Sequence, residues 1–408
     1  MVTATTTQKW ANNAALIRFV GGILRRLVPV LTLGRTVIVT RHADAVDVLE
    51  RDQDFTIAEV NDAKMTRLNG PFILGMDRSE TYIRERAILG QCVHREDLRR
   101  ILDLVQANAE ELLAAARPSG SLDVVQGFAR PAATRLVADY IGVPGPDEAT
   151  MMRWMRILFW EAFLNTAADP EVSRRADQAG GEFRAYANAL IAERRVEVEA
   201  GKDVPDDMLT RLLLGDQDEV TRLGDDGIRR NVGGVLVGAV DTTSKAIANL
   251  VDELLRRPKE LAAAQAAARE GDVELVGRYA FEALRFNPVA PVMVRHVGRA
   301  TLVGAGVRRK KKIRGGGSIL IGALPAMFDP EVFENPRSFR VDRPVVGDLI
   351  FGHGLHACYG MHVNRIQIPE LTTALLRCKI RRAVGSRGKV LYEGPFPDRL
   401  LVDLGGRG

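Results

Sequence analysis

The sequence predicts a mainly α-helical protein with small β-sheets, folded as a single large domain. Apolar residues recur at helical spacing through most of the region between residues 80 and 286, whereas β-branched runs are short. No internal repeat and no Ser/Gly-rich linker divides the 408 residues. Hydrophobic residues make up 46% of the chain and charged residues 27%, a balance typical of a globular protein.

The predicted elements follow one another in a simple order. A β-branched strand at Arg35–Arg41 precedes a short helix, and Leu68–Glu80 combines turn residues with apolar residues as a loop with buried contacts. Helical patterns then cover residues 80–116, 122–142, 147–165, 170–200, 228–257 and 272–286. Strands are expected near 292–303 and 318–323, irregular chain over 325–348, and a last helix from Met361.

Net charge and cysteine content limit the possible partners and compartments. The formal net charge is +5, which is too small and too evenly spread to indicate a nucleic-acid partner. The three cysteines, Cys92, Cys358 and Cys378, form no paired pattern. We therefore expect no disulfide framework, and we expect the protein to lie in a reducing, cytoplasmic compartment.

The first 29 residues form a separate N-terminal segment in the predicted organisation. Arg18, Arg25 and Arg26 interrupt its apolar residues, so it contains no run of about 18 that could cross a membrane. No secretory cleavage pattern follows it, and we expect no transmembrane anchor. The segment fits either an ordinary packed helix or an amphipathic helix on a membrane surface.

The helical segment Ile228–Arg257 places polar residues inside an apolar stretch. Thirty helical residues span about 45 Å, enough to cross a whole domain. Val232–Val240 is apolar on every side, which indicates burial, and Asp241, Thr242 and Thr243 follow it directly. A buried carboxylate needs compensation, and the glycines of this helix need a closely approaching body. Alternatively, Asp241 caps a helix break and the glycines only allow helices to pack.

A glutamate and an arginine share one face of the helix that precedes Asn287. Glu282 and Arg285 in "FEALRF" stand three residues apart, a spacing at which they can form an ion pair. Such pairs usually lie in solvent, but the flanking apolar residues favour partial burial. A buried pair needs a further partner, and Arg343 is the candidate.

The stretch "LIFGHGLHACYG" places Cys358 in a glycine-rich loop just before a helix. Backbone N–H groups and the positive helix end lower the pKa of a thiol at such a position. Glycines also allow the backbone to pass closely around a flat ligand. No second cysteine or histidine stands at zinc-site spacing. A buried structural thiol is the alternative interpretation.

Four motifs in chain order resemble those of the cytochrome P450 superfamily. "FGHGLHACYG" resembles the haem-binding loop, with Phe351, Gly352, Gly354, Cys358 and Gly360 at the fixed positions. "EALR" is similar to the Glu-x-x-Arg pair, "GAVDTT" to the acid–threonine motif of the central helix, and "FENPRSFRVDR" to the irregular stretch before the haem loop. The resemblance implies one P450 domain over residues 30–408, a triangular helical prism. Haem b, iron protoporphyrin IX, would lie between the long central helix and the helix after the cysteine loop.

The same resemblance implies roles for individual residues. Cys358 would bind the haem iron, and Asp241 and Thr242 would deliver protons during catalysis. Glu282, Arg285 and Arg343 would form a structural triad. The remaining residues implied to contact haem are His356, Arg295, Arg86, Tyr82, Phe351, Gly352, Gly360, Gly238 and Ala239. The residues implied to line the substrate pocket are Phe72, Leu74, Val235, Val289, Val292, Met293 and Phe396.

The function implied by the resemblance is that of a haem-thiolate monooxygenase. Such an enzyme inserts one oxygen atom of O2 into a small-to-medium apolar organic substrate, in secondary or catabolic metabolism. Electrons would come from NAD(P)H through a ferredoxin or flavodoxin and its reductase, and the chain would act as a monomer. Arg95, Arg99 and Arg100, together with the run Arg308–Lys312, could form a docking patch, although charge runs are usually solvated surface.

Three alternatives remain open from the sequence. The chain could be a haem-thiolate protein that binds a ligand without turnover, or a peroxide-driven haem enzyme. The Asp241–Thr242 pair argues against both, because neither needs to deliver protons from the protein to O2. A helical protein without haem, in which Cys358 is structural, is the third alternative.

Overall fold

The structure, a computed structural model, describes residues 13–305, 310–344 and 347–405. The chain folds into two compact units: residues 1–60 with 245–408 form unit 1, and residues 61–244 form unit 2. This division falls inside the region that the sequence analysis treats as one domain. Helices dominate the described residues and the sheets are small, which confirms the predicted fold class.

The α-helices account for most of the regular structure. They are α1 (Ala14–Leu27), α2 (His42–Glu50), α3 (Ala58–Leu68), α4 (Glu80–Cys92), α5 (Leu98–Ala116), α6 (Arg130–Leu136), α7 (Glu148–Phe159), α8 (Pro170–Glu199), α9 (Met208–Gly215), α10 (Gly224–Leu255), α11 (Pro258–Glu270), α12 (Val273–Phe286), α13 (Ala323–Ala326) and α14 (Met361–Arg377). Widened helical turns adjoin α6 on both sides and follow α7, at Val125–Ala129, Val137–Ile141 and Trp160–Leu164.

The strands are short. They are β1 (Val30–Leu33), β2 (Thr36–Val39), β3 (Phe55–Thr56), β4 (Ser121–Asp123), β5 (Met293–Val297), β6 (Thr301–Val303), β7 (Lys311–Ile313), β8 (Gly317–Ile321), β9 (Arg381–Arg382), β10 (Leu391–Glu393), β11 (Phe396–Arg399) and β12 (Leu401–Asp403). Tight 3₁₀ turns occur at Arg117–Ser119, Gly354–His356 and Gly385–Gly388.

A five-stranded sheet organises the core of unit 1. Its strand order is β1-β2-β8-β5-β3, and β2 pairs with β8 in parallel while the other neighbours are antiparallel. The sheet residues Val37, Val39, Ile319 and Ile321 are buried with Phe286 in one apolar cluster. Burial of this branched apolar surface stabilises the sheet, because strands this short gain little from pairing alone.

The N-terminal helix α1 packs against unit 1 rather than standing apart from it. A Cβ atom added at Gly21 would lie 2.2 Å from the Pro325 ring, so glycine is what allows the close approach. Arg25 donates to the Pro325 carbonyl and Arg18 to the Phe286 carbonyl. No helix of the described part of the chain is both long and apolar enough to cross a membrane.

Most predicted helices are present, but several boundaries were wrong. The helix predicted over 80–116 is interrupted at residues 93–97, where Asp97 accepts a hydrogen bond from the His94 backbone and also binds Arg211. Helix α10 begins at Gly224, four residues before the predicted start. The strand at Arg35–Arg41 is one half of the β1–β2 hairpin. Helices α3, α9 and α11 and the strands after α14 were not predicted.

Candidate active site

The cysteine loop of unit 1 is tightly closed on itself. The backbone N–H of Cys358 donates to the Phe351 carbonyl at 2.8 Å, and Ala357 donates to Gly354 at 3.1 Å. Gly352 and Gly354 adopt φ angles of +72° and +70°, a conformation that residues with a Cβ rarely adopt. A Cβ at Gly354 would also lie 2.3 Å from the Leu49 carbonyl oxygen. The loop therefore holds Cys358 just before α14.

The chemistry of this loop fits a haem better than a free metal ion. Cys358 is half-buried, as is Phe351, so both keep surface that a ligand can cover. Within residues 13–305, 310–344 and 347–405, no group of three or more His, Cys, Asp or Glu side chains could hold a metal ion. A single cysteine sulfur would be sufficient for haem, because one thiolate from the protein can hold its iron. The residues present therefore fit haem.

The residues expected to bind the haem carboxylates lie in both units. In unit 1, His356 is half-buried in the 3₁₀ turn of the loop, and Arg295 is buried on β5, where it donates to the Val294 carbonyl. In unit 2, Tyr82 is buried on α4 and Arg86 is half-buried one turn later. These side chains supply the hydrogen-bond donors that carboxylates require.

The middle of helix α10, from Val232 to Thr243, is buried on all sides except one narrow face. Val235, Gly238, Ala239 and Thr242 are half-exposed, whereas Leu236, Val240 and Thr243 between them are buried. The half-exposed residues follow the spacing of a single helical face. The Thr242 hydroxyl donates to the Gly238 carbonyl one turn earlier. A reactive polar group therefore stands on the uncovered face of an otherwise buried helix.

The glycines of α10 admit closely packed neighbours from unit 2. A Cβ at Gly234 would lie 2.3 Å from the Phe72 ring, and one at Gly233 would lie 2.5 Å from the Asn69 amide. The close approach expected from the sequence is thus present. Because α10 is continuous from Gly224 to Leu255, Asp241 does not cap a helix break, and that alternative was wrong.

Two arginines compensate the buried carboxylate of Asp241. Arg156 Nε lies 2.9 Å from Asp241 Oδ1, and Arg130 Nε lies 3.3 Å from the same oxygen. All three side chains are at most 7% exposed. Asp241 Oδ2 has no hydrogen-bond partner among the described residues. We call these three residues the open cluster.

Sequence reasoning required a partner for Asp241 but did not identify these two arginines. Arg156 lies within the apolar run "MMRWMRILFW", where a charge indicates either exposure or a buried partner. That signal was available from the sequence. The identity of the partner was not, because Asp241 lies 85 residues further along the chain.

The three residues expected to form a structural triad are brought together in unit 1. Arg285 holds Glu282 through two parallel hydrogen bonds of 2.8 Å, and Arg343 Nε lies 3.2 Å from Glu282 Oε1. Arg285 also donates to the Met327 and Pro336 carbonyls, and the Arg340 backbone N–H donates to Glu282. We call Glu282, Arg285 and Arg343 the closed cluster, since both carboxylate oxygens are engaged.

The residues expected to line a substrate pocket differ in exposure. Phe72 is buried against Gly234, while Leu74 is half-exposed near Gly238. In unit 1, Val289 and Met293 are half-exposed, Val292 is exposed and Phe396 is buried.

The arginines expected to form a docking patch are partly engaged in ion pairs. Arg99 pairs with Asp103 and Arg100 with Asp206, whereas Arg95 is exposed. Of the basic run, Arg308 and Arg309 lie outside the described residues.

Comparison with known proteins identifies the family. The cytochrome P450 family model matches residues 32–378. The P450 monooxygenase PikC of Streptomyces venezuelae is 29% identical over 75% of this chain and 67% of its own length. A steroid C26-monooxygenase of Mycolicibacterium smegmatis is 24% identical over 75% of this chain and 72% of its own. The solved structure of CalO2 superposes with a TM-score of 0.84 at 24% identity and covers 100% of both chains, which shows the fold. The chain therefore belongs to the cytochrome P450 family and is a monooxygenase of the bacterial type.

Proposed function

We propose that this monooxygenase oxidises a small-to-medium apolar organic substrate with electrons that reach it from NAD(P)H through a ferredoxin or flavodoxin and its reductase. The observation that carries the proposal is the uncovered face of α10, which carries the Thr242 hydroxyl, and Thr242 directly follows the anchored, buried carboxylate of Asp241 in the chain. An apolar face that ends in a hydroxyl suits an oxidation that needs protons and excludes bulk water.

Haem, when bound, supplies the activated oxygen of this reaction, and Cys358 is the residue that holds its iron. The closed loop around Cys358 contributes by fixing the sulfur before α14, where the helix end favours the thiolate. In unit 1, His356 and Arg295 would donate hydrogen bonds to its carboxylates, and Phe351 would offer it an apolar contact. In unit 2, Tyr82 and Arg86 would be further donors to its carboxylates.

Proton delivery falls to Asp241 and Thr242. A hydroxyl can accept one proton while it donates another, so Thr242 can pass protons without becoming charged. Asp241 supplies them from a carboxylate that keeps one oxygen without a partner among the described residues. Arg130 and Arg156 fix its orientation.

The half-exposed side chains limit the class of substrate. In unit 2, Val235 and Ala239 offer aliphatic surface, and in unit 1, Val289 and Met293 do the same. Neither pair has a hydrogen-bonding side chain, which suits an apolar molecule. The M. smegmatis relative is named for oxidation of a steroid, a molecule of that character. The two haem-protein alternatives are ligand binding without turnover and peroxide-driven chemistry. Neither gives the Asp241–Thr242 pair a role.

The test of the haem-thiolate assignment compares two cysteines that are both half-buried. We expect the reduced carbon monoxide complex of the native protein to show the red-shifted Soret band that a thiolate ligand produces. Cys358→Ala should abolish this band, and Cys378→Ala, at the end of α14, should retain it. An unchanged band in Cys358→Ala would refute the assignment. A native protein that purified without haem would revive the structural-thiol interpretation.

A further inference from the structure

The N-terminal helix α1 of unit 1 exposes large apolar side chains on its outer side. Phe19 is 67% exposed, Ile23 is 44% exposed and Leu27 is 75% exposed. These three residues follow one another at intervals of four, so they form a single stripe along the helix. We call them the outer stripe. Val20 beside the stripe and Val28 just after it are exposed as well.

Two arginines of α1 lie on the side of the helix that packs against unit 1. Arg18 is half-buried and donates to the Phe286 carbonyl. Arg25 is half-buried, donates to the Pro325 carbonyl and lies 4.0 Å from the buried carboxylate of Asp329. A surface helix ordinarily turns its charged residues to water and its apolar residues to the core, because burial stabilises only the latter. Helix α1 departs from that arrangement, and its outer stripe is apolar surface that a partner can cover.

The part of unit 1 that contains the outer stripe is built from two stretches of sequence without acidic residues. Residues 1–43 and 283–328 include no Asp and no Glu. The first stretch contains α1, β1 and β2, and the second contains β5, β6, β7 and β8. The sheet joins the two stretches, because β2 pairs with β8. Charge is therefore less evenly spread in unit 1 than we expected from the whole chain.

Exposed cations of the second stretch lie beside the C-terminal end of α1. Lys311 on β7 donates to the carbonyl of Val30 at 3.4 Å, and Val30 is three residues beyond Leu27. Lys312 on β7 and Arg314 just after it are exposed. We call Lys312 and Arg314 the basic pair. An apolar stripe with cations beside it is the composition of a helix that binds at the surface of an anionic bilayer.

We infer that unit 1 binds the surface of an anionic lipid bilayer through the outer stripe and the basic pair. The stripe enters the boundary between headgroups and acyl chains, while the basic pair and the exposed Arg26 of α1 attract lipid phosphates. A second copy of the chain is a poorer partner, because a symmetric contact through this face would bring the basic pairs of both copies together. The inference concerns where the enzyme acts, so it is independent of the proposed reaction.

The test measures how tightly holoprotein binds lipid vesicles, by co-sedimentation at increasing lipid concentration. One set of vesicles is an equimolar mixture of phosphatidylglycerol and phosphatidylcholine, and the other is phosphatidylcholine alone. In about 0.1 M salt, native protein should bind the anionic vesicles about 10-fold more tightly or better. Raising the salt to about 1 M should remove most of that preference, because it screens the exposed cations.

Two variants separate the apolar contribution from the electrostatic one. The stripe variant combines Phe19→Ser, Ile23→Ser and Leu27→Ser. It should bind anionic vesicles about 100-fold more weakly, because three apolar side chains no longer leave water on binding. The basic-pair variant combines Lys312→Gln and Arg314→Gln. It should bind about 10- to 30-fold more weakly, because each cation near an anionic surface contributes a factor of about 5.

The control variants carry the same kinds of substitution at residues that are exposed elsewhere in the chain. They are Val196→Ser with Val220→Ser and Val384→Ser, and Arg387→Gln with Lys389→Gln. Both should bind anionic vesicles as native protein does. Every substituted side chain is exposed, so all variants should keep native haem content, which is measured on the same preparations. The basic-pair variant keeps the test decisive if the stripe variant loses its haem.

Three results would overturn the inference. The first is a native protein that does not bind anionic vesicles, or binds both vesicle types equally. The second is undiminished binding in the stripe variant or in the basic-pair variant. The third is a native protein that sediments as a dimer in the ultracentrifuge while the stripe variant sediments as a monomer, which would assign the outer stripe to a second copy of the chain.

Discussion

The closed and the open cluster have the same composition, but they differ in how many of their polar atoms make hydrogen bonds. Each combines one buried carboxylate with two arginines. In the closed cluster, both oxygens of Glu282 accept hydrogen bonds, and Arg285 also donates to the backbone carbonyls of Met327, Pro336 and Ser338. In the open cluster, Asp241 Oδ1 takes both arginines, and neither Oδ2 nor Arg130 Nε makes a hydrogen bond among the described residues.

We infer that the buried charges of the closed cluster hold the structure, whereas those of the open cluster take part in the chemistry. A fully satisfied network fixes geometry, and the closed cluster ties α12 to the irregular chain over residues 327–343. A buried oxygen without a partner is costly, and native structures keep few of them. The proposed role of Asp241 in proton delivery offers a reason for that cost, because an oxygen whose hydrogen bonds are all made is a poor site for proton exchange.

The largest effect on folding is expected from removing an arginine of the closed cluster. Arg285→Ala strands Glu282 as a buried charge and removes the bonds to Met327 and Pro336, at a cost of about 3–5 kcal/mol. We expect mostly misfolded protein with little haem, measured by yield and haem content. Arg278→Ala on the same helix is the control, since its pair with Glu274 is exposed. Soluble Arg285→Ala with full haem content would contradict the structural role.

A smaller effect on stability is expected from removing the charge of a third buried carboxylate, that of Asp97. Both of its oxygens also accept hydrogen bonds. Arg211 and Tyr140 donate to Asp97 and hold its pKa at about 2, well below the ordinary value of 3.8. A depressed pKa stabilises the fold above pH 4, by about 2 kcal/mol here, and the gain is lost as pH falls from 4 to 2. Asp97→Asn should therefore be less stable than native protein at pH 7, with the difference in urea unfolding free energy shrinking at low pH.

The control for this measurement is Asp103 on α5. Asp103 pairs with Arg99 in solvent, and because exposed ion pairs contribute little, Asp103→Asn should change the urea unfolding free energy little. A difference between Asp97→Asn and native protein that stays constant from pH 7 to pH 3 would show that packing around Tyr140, rather than charge, stabilises this region.

The smallest effect on stability is expected from replacing Thr242, which follows Asp241 of the open cluster in the chain. Thr242→Ala removes the hydroxyl and leaves the fold intact, because within the described parts of the chain that hydroxyl bonds only the Gly238 carbonyl one turn earlier. Reductant consumption should continue, with several-fold more hydrogen peroxide and correspondingly less product per NAD(P)H. Thr242→Ser should restore most of the coupling between reductant and product. Unchanged coupling in Thr242→Ala would mean that ordered water or a substrate hydroxyl carries the protons.

Local patterns in the sequence were sufficient for the parts of the site that lie within one element. The cysteine loop, the Glu282–Arg285 spacing and the Asp241–Thr242 pair each fall within a dozen residues, so their chemistry could be read directly. The open cluster could not be predicted in full, since Arg156 meets Asp241 only through packing of α7 on α10. Most of the short strands were missed or merged in the prediction. Two to five residues show too little alternation of apolar and polar side chains to be identified as a strand.

The break at residues 93–97 was equally invisible in the sequence. Asp97 is held there by Arg211 and Tyr140, whose positions along the chain gave no sign of the contact.

The most direct test compares turnover per bound haem in Glu282→Gln and Asp241→Asn, with a substrate found by spectral binding and a surrogate ferredoxin chain. Both variants lose a buried charge and should be less stable than native protein. We predict near-native turnover per haem in the Glu282→Gln molecules that fold, and about 100-fold slower turnover in Asp241→Asn, because only the latter loses a group that moves protons. Native turnover per haem in Asp241→Asn, or equal losses in both variants, would contradict the division between the closed and the open cluster.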